Sequence, residues 1–134
     1  MSTTEKVSQI WEALAGQRQA LVQAFYTRLF QEYPHYRQLF PQSMDGQMEK
    51  MVDMMGAVAR FSDRIDMIRP YLLRVAYTHK NLEIDERDLE NFRTVLLESI
   101  ANFCPDDWDD ETEVSFNRAF DDTIIPIFKE GMEI

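Results

Sequence analysis

Few side chains in this sequence can do chemistry at a metal. There are two histidines, His35 and His79, and one cysteine, Cys104. One cysteine excludes an internal disulfide and a CxxC zinc site, and two histidines exclude a three-His centre. His35 falls in the turn-like run Tyr33-Pro34-His35-Tyr36 and reads as exposed. His79 continues the apolar face Leu72, Val75, Ala76, so its imidazole points towards a core. A buried, unpaired ring nitrogen costs about 1–3 kcal/mol, so it needs a partner. Position alone favours a core histidine bonded to a backbone carbonyl; the rival reading is a metal ligand. Tyr26, on an apolar stripe, reads by itself as core, and Gln47 as exposed. Cys104 lies near a helix end with nothing to activate it, and reads as an idle thiol. The acidic run Asp106, Asp107, Asp109, Asp110, Glu111, Glu113 reads as a solvated helix start, and its spacing does not match an EF-hand.

The elements that carry these residues are helices. Val7, Ile10, Trp11 and Leu14 form a first stripe behind a Ser2/Thr3 cap, and Gly16 marks a boundary. Val22, Phe25, Tyr26, Leu29, Phe30 and Tyr33 form a second stripe, which Pro34 ends. Pro41 biases Phe40 away from helix. Met44, Met48, Met51, Val52, Met55, Val58 and Ala59 form a third, with Phe61 and Ile65 beyond. Five of the eight methionines fall within 44–55, and their helical spacing favours core over a helix-binding surface. A fourth helix is expected to start at Pro70. A fifth starts near Asp85-Glu86 and carries Leu89, Phe92, Leu96, Ile100 and Phe103. The last carries Phe116, Phe120, Ile124, Ile127 and Phe128, and Pro126 is expected to kink it or end its regular part. Strand signals are nearly absent. The expected fold class is all-α, with irregularly packed helices of unequal length.

Composition narrows the function further. The 134 residues suit one domain, taken as 1–134. At 45% hydrophobic and 28% charged the chain is too apolar to be disordered. A formal charge of -10 argues against a nucleic-acid partner, because phosphate binding needs a basic footprint. No apolar run approaches the ~20 residues of a membrane span, and no signal peptide is visible. The expected location is cytoplasmic.

Taken together, these segments resemble the globin family, specifically bacterial single-domain globins and the haem domain of flavohaemoglobins. Phe25-Tyr26-Thr27-Arg28-Leu29-Phe30, then Tyr33-Pro34 and Leu39-Phe40, is similar to the family's F-Y-x-R-[LM]-F…P…[LI]-F pattern. Gln47-Met48-Glu49-Lys50-Met51 is similar to Q-x-x-K-L on the distal helix, and Arg74-Val75-Ala76-Tyr77-Thr78-His79-Lys80 resembles the proximal helix. The interval from Gln47 to His79 is 32 residues, as in the family.

The resemblance implies a globin-like fold of about six to eight helices packed around a haem pocket, with haem b (iron protoporphyrin IX) as cofactor. His79 is then the proximal iron ligand, its other ring N–H bonded to a carbonyl one turn back. Tyr26 and Gln47 become distal donors to a gas ligand. Phe40 wedges against the macrocycle, Met51 lines the distal wall, and Val75, Ile84, Leu89 and Phe92 pack the proximal and rear edges. Lys50 and Arg74 are placed near the propionates. The implied function is reversible binding of oxygen and other diatomic gases at a five-coordinate iron, by a monomer or weak homodimer. The alternatives are nitric oxide dioxygenase chemistry with an external reductase, a gas sensor acting through a partner, and a haem-free scaffold. The sequence departs from the flavohaemoglobin pattern behind the proximal histidine. Leu89 stands at the position of a Tyr, and Gly131 near that of a Glu, with Glu130 the nearest substitute.

Overall fold

Ser2 opens the chain's first helix by accepting a hydrogen bond from the Glu5 amide at 3.1 Å, as a cap must. In the computed structural model, which describes residues 2–61 and 63–132, helix α1 runs Thr3–Ala13, α2 Arg18–Glu32, α3 Asp45–Phe61 and α4 Ile65–Tyr77. Helix α5 runs Glu86–Phe103, α6 Asp110–Ala119 and α7 Ile125–Met132. Short 3-10 turns at Pro34–Leu39 and Lys80–Leu82 link α2 to α3 and α4 to α5. No strand occurs among the described residues. The seven helices make the all-α architecture the stripes implied.

Local chemistry sets the boundaries. Gly16, at φ 85°, turns the chain between α1 and α2 in a region that disfavours other residues. Asp85 and Asp88 exchange side-chain to backbone bonds at 3.0 Å, a capping box that starts α5. Asp109 caps α6 by accepting from the Thr112 amide at 2.8 Å.

Both helical prolines behave differently from a simple stop. Helix α4 starts at Ile65 rather than at Pro70, and Ile65 is 50% exposed instead of extending the α3 stripe. Pro70 lacks the N–H that would reach the Asp66 carbonyl, but Asp66 is exposed and water can take that bond. Before Pro126 the helix widens into a π turn, Phe120–Ile124. The wider turn makes room for a ring that clashes with a carbonyl one α-turn back. Regular structure therefore pauses just ahead of Pro126 and resumes as α7.

In the core α7 packs chiefly on α4, α1 on α6, and α2 on α5 and α3. The α4–α7 crossing is close. A Cβ added to Gly131 would sit 2.5 Å from the Ala76 Cβ and 3.2 Å from the Leu73 carbonyl. Gly131→Ala is therefore expected to destabilise the fold by about 1–3 kcal/mol, the usual range for overpacking. A urea titration checks it; an unchanged midpoint would show that the helices part freely.

Candidate functional site

A cavity of about 580 Å3 opens among α2, α3, the end of α4, the start of α5 and the last helical stretch. That volume lies within the roughly 300–1,000 Å3 of ligand pockets. Its walls are mainly apolar. Tyr26, Phe40, Gln47, Lys50, Met51, Arg74, Val75, His79, Ile84, Leu89 and Phe92 all line it. His35 does not; it is exposed on the 3-10 turn.

His79 sits just past the end of α4, with its amide bonded to the Ala76 carbonyl at 2.9 Å. Its Nδ1 lies 2.7 Å from the Val75 carbonyl. A carbonyl can only accept, so Nδ1 carries a proton, and in the neutral imidazole the lone pair is then on Nε2. The Thr78 hydroxyl donates to the same carbonyl at 2.6 Å and lies 3.1 Å from Nδ1. The Phe128 ring, 5.9 Å away, packs beside the imidazole. Among the described residues no carboxylate serves as the Nδ1 partner. Glu130 is engaged at the surface with Arg69, and Gly131 fills the α4 crossing.

Tyr26 is 4% exposed and comes from the middle of α2. Gln47, in the first turn of α3, donates its amide N–H to the Tyr26 oxygen at 3.2 Å. Burial pushes the Tyr26 hydroxyl above its ordinary pKa, and the Gln47 bond offsets this only in part. Tyr26 is thus a neutral phenol whose proton is free for another acceptor. Its ring is held 4.9 Å from that of Phe25 and 5.5 Å from that of Phe40. The corner that carries Phe40 is pinned by Arg37, whose guanidinium donates to the carbonyls of Phe40, Pro41 and Gln42 at 3.3, 2.9 and 2.9 Å. Met51 is buried, and the Phe92 ring meets the Phe25 edge at 5.0 Å. Lys50 and Arg74 are exposed where they line the cavity, so they mark its rim.

Sequence reasoning missed one polar cluster in this wall. Tyr36 lines the cavity and donates to Asp88 at 2.5 Å. Asn91 donates to the Tyr36 oxygen at 3.1 Å, and Tyr33 donates to Asn91 at 3.3 Å. Burial, then Asp88, push the Tyr36 hydroxyl up to about 12. Burial works against the Asp88 anion, but bonds from Tyr36 and Asp85 outweigh it and hold the carboxyl below the usual range. The cluster ties the 3-10 turn after α2 to the start of α5. A helix start near Asp85 is legible in the sequence; the Tyr36 partner of Asp88, 52 residues away, is not.

The other candidates stay outside the cavity. The buried Cys104 thiol bonds to the Ile100 carbonyl at 3.1 Å, and burial raises its pKa. No group of side chains among the described residues could hold a metal ion by itself, the acidic run included. Lys6 lies 3.9 Å from Asp109 and 3.7 Å from Glu111 in that run, across the α1–α6 contact. No described helix is long and apolar enough to cross a membrane.

The fold is similar to that of a bacterial globin from Campylobacter jejuni, with a TM-score of 0.83, 20% identity, and 98% of each chain covered. No curated protein matches the sequence. The family model for globins matches residues 23–126, a span that contains Tyr26, Phe40, Gln47 and His79, and by that match the chain belongs to the globin family.

Proposed function

We propose that residues 1–134 form one globin domain that holds haem b through His79 and reversibly binds oxygen and other diatomic gases. One observation carries the reading. A single apolar cavity receives both an imidazole with a free Nε2 lone pair and a neutral phenol backed by an amide. The residues suit a haem. The volume is ample, the walls are aromatic and aliphatic, and two rim cations, Lys50 and Arg74, can meet its two carboxylates. A ferrous haem held there by His79 would supply the iron that binds a gas.

The chain's own groups do the rest. The Val75 carbonyl fixes the His79 tautomer and ring plane. Tyr26 and Gln47 can donate to a guest that carries partial negative charge, and neither is a strong ligand itself. Phe40, Met51, Ile84, Leu89 and Phe92 line the cavity with apolar surface that disfavours water and would slow oxidation of an iron held there. A neutral carbonyl behind His79 leaves its imidazole less electron-rich than a carboxylate would. That favours holding the gas over turning it over with nitric oxide and an external reductase. The test is spectroscopic. Reduced holoprotein should shift its Soret band in air and shift it back under argon, over repeated cycles. Immediate conversion to the ferric form, or no Soret band at all, would overturn the reading.

A further inference from the structure

Four tyrosines line the cavity, Tyr26, Tyr36, Tyr71 and Tyr77, and their phenol protons face different surroundings. Tyr36 is bonded to a carboxylate: its hydroxyl donates to Asp88 at 2.5 Å. Tyr26 is backed by the Gln47 amide instead, and Tyr77 stands 61% exposed to water. The distinction matters for electron transfer. A phenol that loses one electron becomes a strong acid, so the electron leaves readily only where a base takes the proton in the same step. A positioned side chain does this far better than water.

The Tyr36 pair is built for that step. Tyr36 is 7% exposed, so water does not compete for its proton. At rest the proton stays on the phenol, which burial and then Asp88 push up to about 12. Asp88 is held below the usual carboxylate range, so at neutral pH it is an anion that can only accept. Asn91 donates to the Tyr36 oxygen at 3.1 Å, a bond that survives loss of the phenol proton and keeps the oxygen beside Asp88. Tyr33, whose half-buried ring lies 5.4 Å from that of Tyr36, gives an electron a route from the surface.

We propose that Tyr36 is a redox-active tyrosine with Asp88 as its proton acceptor, and that it returns one electron to a haem that hydrogen peroxide has oxidised. The inference rests on the haem-globin reading above, because the haem is where peroxide reacts. Peroxide takes two electrons from the haem, and two protons from water, to become two molecules of water. Tyr36 then gives the haem one electron, and its proton passes along the hydrogen bond to Asp88. The O–H bond breaks, leaving a neutral phenoxyl radical beside a neutral carboxylic acid. A one-electron reductant of the ascorbate class closes the cycle: it reduces the phenoxyl oxygen, and Asp88 gives the proton back.

Two oxidants test the pair. Ferric holoprotein mixed with hydrogen peroxide and frozen should show a free-radical resonance that changes shape when the tyrosines are ring-deuterated. Haem-free protein should form the same phenoxyl radical, read by its absorbance, after a flash that generates ruthenium(III) tris-bipyridine. Tyr36→Phe, which keeps the ring, should abolish most of both signals. Asp88→Asn keeps a hydrogen-bond acceptor but removes the base, and should slow radical formation roughly tenfold or more. Tyr77→Phe should leave the peroxide signal as it is. Radical yields unchanged in Tyr36→Phe, equal rates in Asp88→Asn, or a haem-loaded protein that forms no tyrosyl radical with peroxide would overturn the proposal. If the protein holds no haem, the missing Soret band counts against the function, while the flash experiment still decides the pair.

Discussion

His79→Gly is expected to strip the protein of haem while leaving its helices in place. His79 is the only imidazole among the residues that line the cavity. Its Nδ1 is already committed to the Val75 carbonyl, so Nε2 is the one strong nitrogen donor the cavity offers. Even the loss of an outer partner of a metal ligand costs roughly 10–100-fold in affinity, so loss of the ligand itself should cost at least as much. The purified variant should show no Soret band after desalting. Its circular dichroism should stay helical, because the half-buried ring stands past the end of α4 rather than inside the core. Added imidazole, which can occupy the vacated space, should restore the band. That rescue separates a missing ligand from a collapsed fold. Haem retained without imidazole, with unaltered coordination, would remove His79 from the axial role.

The same residue shows how far a single sequence can be read. The face Leu72, Val75, Ala76, His79 was plain, and so was the 32-residue interval back to Gln47, because helical periodicity and chain order are local properties. The corner at Phe40 was legible through Pro41. The structure brings all eleven expected side chains to one cavity. What stayed hidden depends on distant partners. Pro70 reads as a helix start, yet α4 begins five residues earlier, because an exposed Asp66 carbonyl can do without the missing donor. Gly131 looks like a lost glutamate until the α4 crossing shows that a Cβ would meet Ala76 at 2.5 Å. Tyr36, Asp88 and Asn91 each look ordinary. Only the fold brings the turn after α2 against the start of α5 and makes them a half-buried cluster.

Tyr26→Phe tests the distal side, and its expected effect is on the rate at which oxygen leaves. The substitution removes one hydroxyl and keeps the ring, which stays packed between Phe25 and Phe40. A hydrogen bond to a partly charged guest contributes about 1.5–3 kcal/mol. Each 1.36 kcal/mol is tenfold in rate, so dissociation should speed up roughly tenfold or more. Flash photolysis or stopped-flow displacement measures it. Because burial raises the Tyr26 pKa above its ordinary value, the hydroxyl keeps its proton at neutral pH and well above it. The parent off-rate should therefore be flat between about pH 6 and 9, below the ordinary tyrosine value near 10. Gln47→Leu separates two roles for the amide. Gln47 donates to the Tyr26 oxygen, which polarises the phenol and aims its proton into the cavity. If that is its whole contribution, Gln47→Leu should matter in the parent and have no further effect once Tyr26 is Phe. If Gln47 also reaches the guest, the double variant should be faster than Tyr26→Phe alone. An off-rate unchanged in Tyr26→Phe would leave the phenol a core residue and reduce the distal site to Gln47 and an apolar wall.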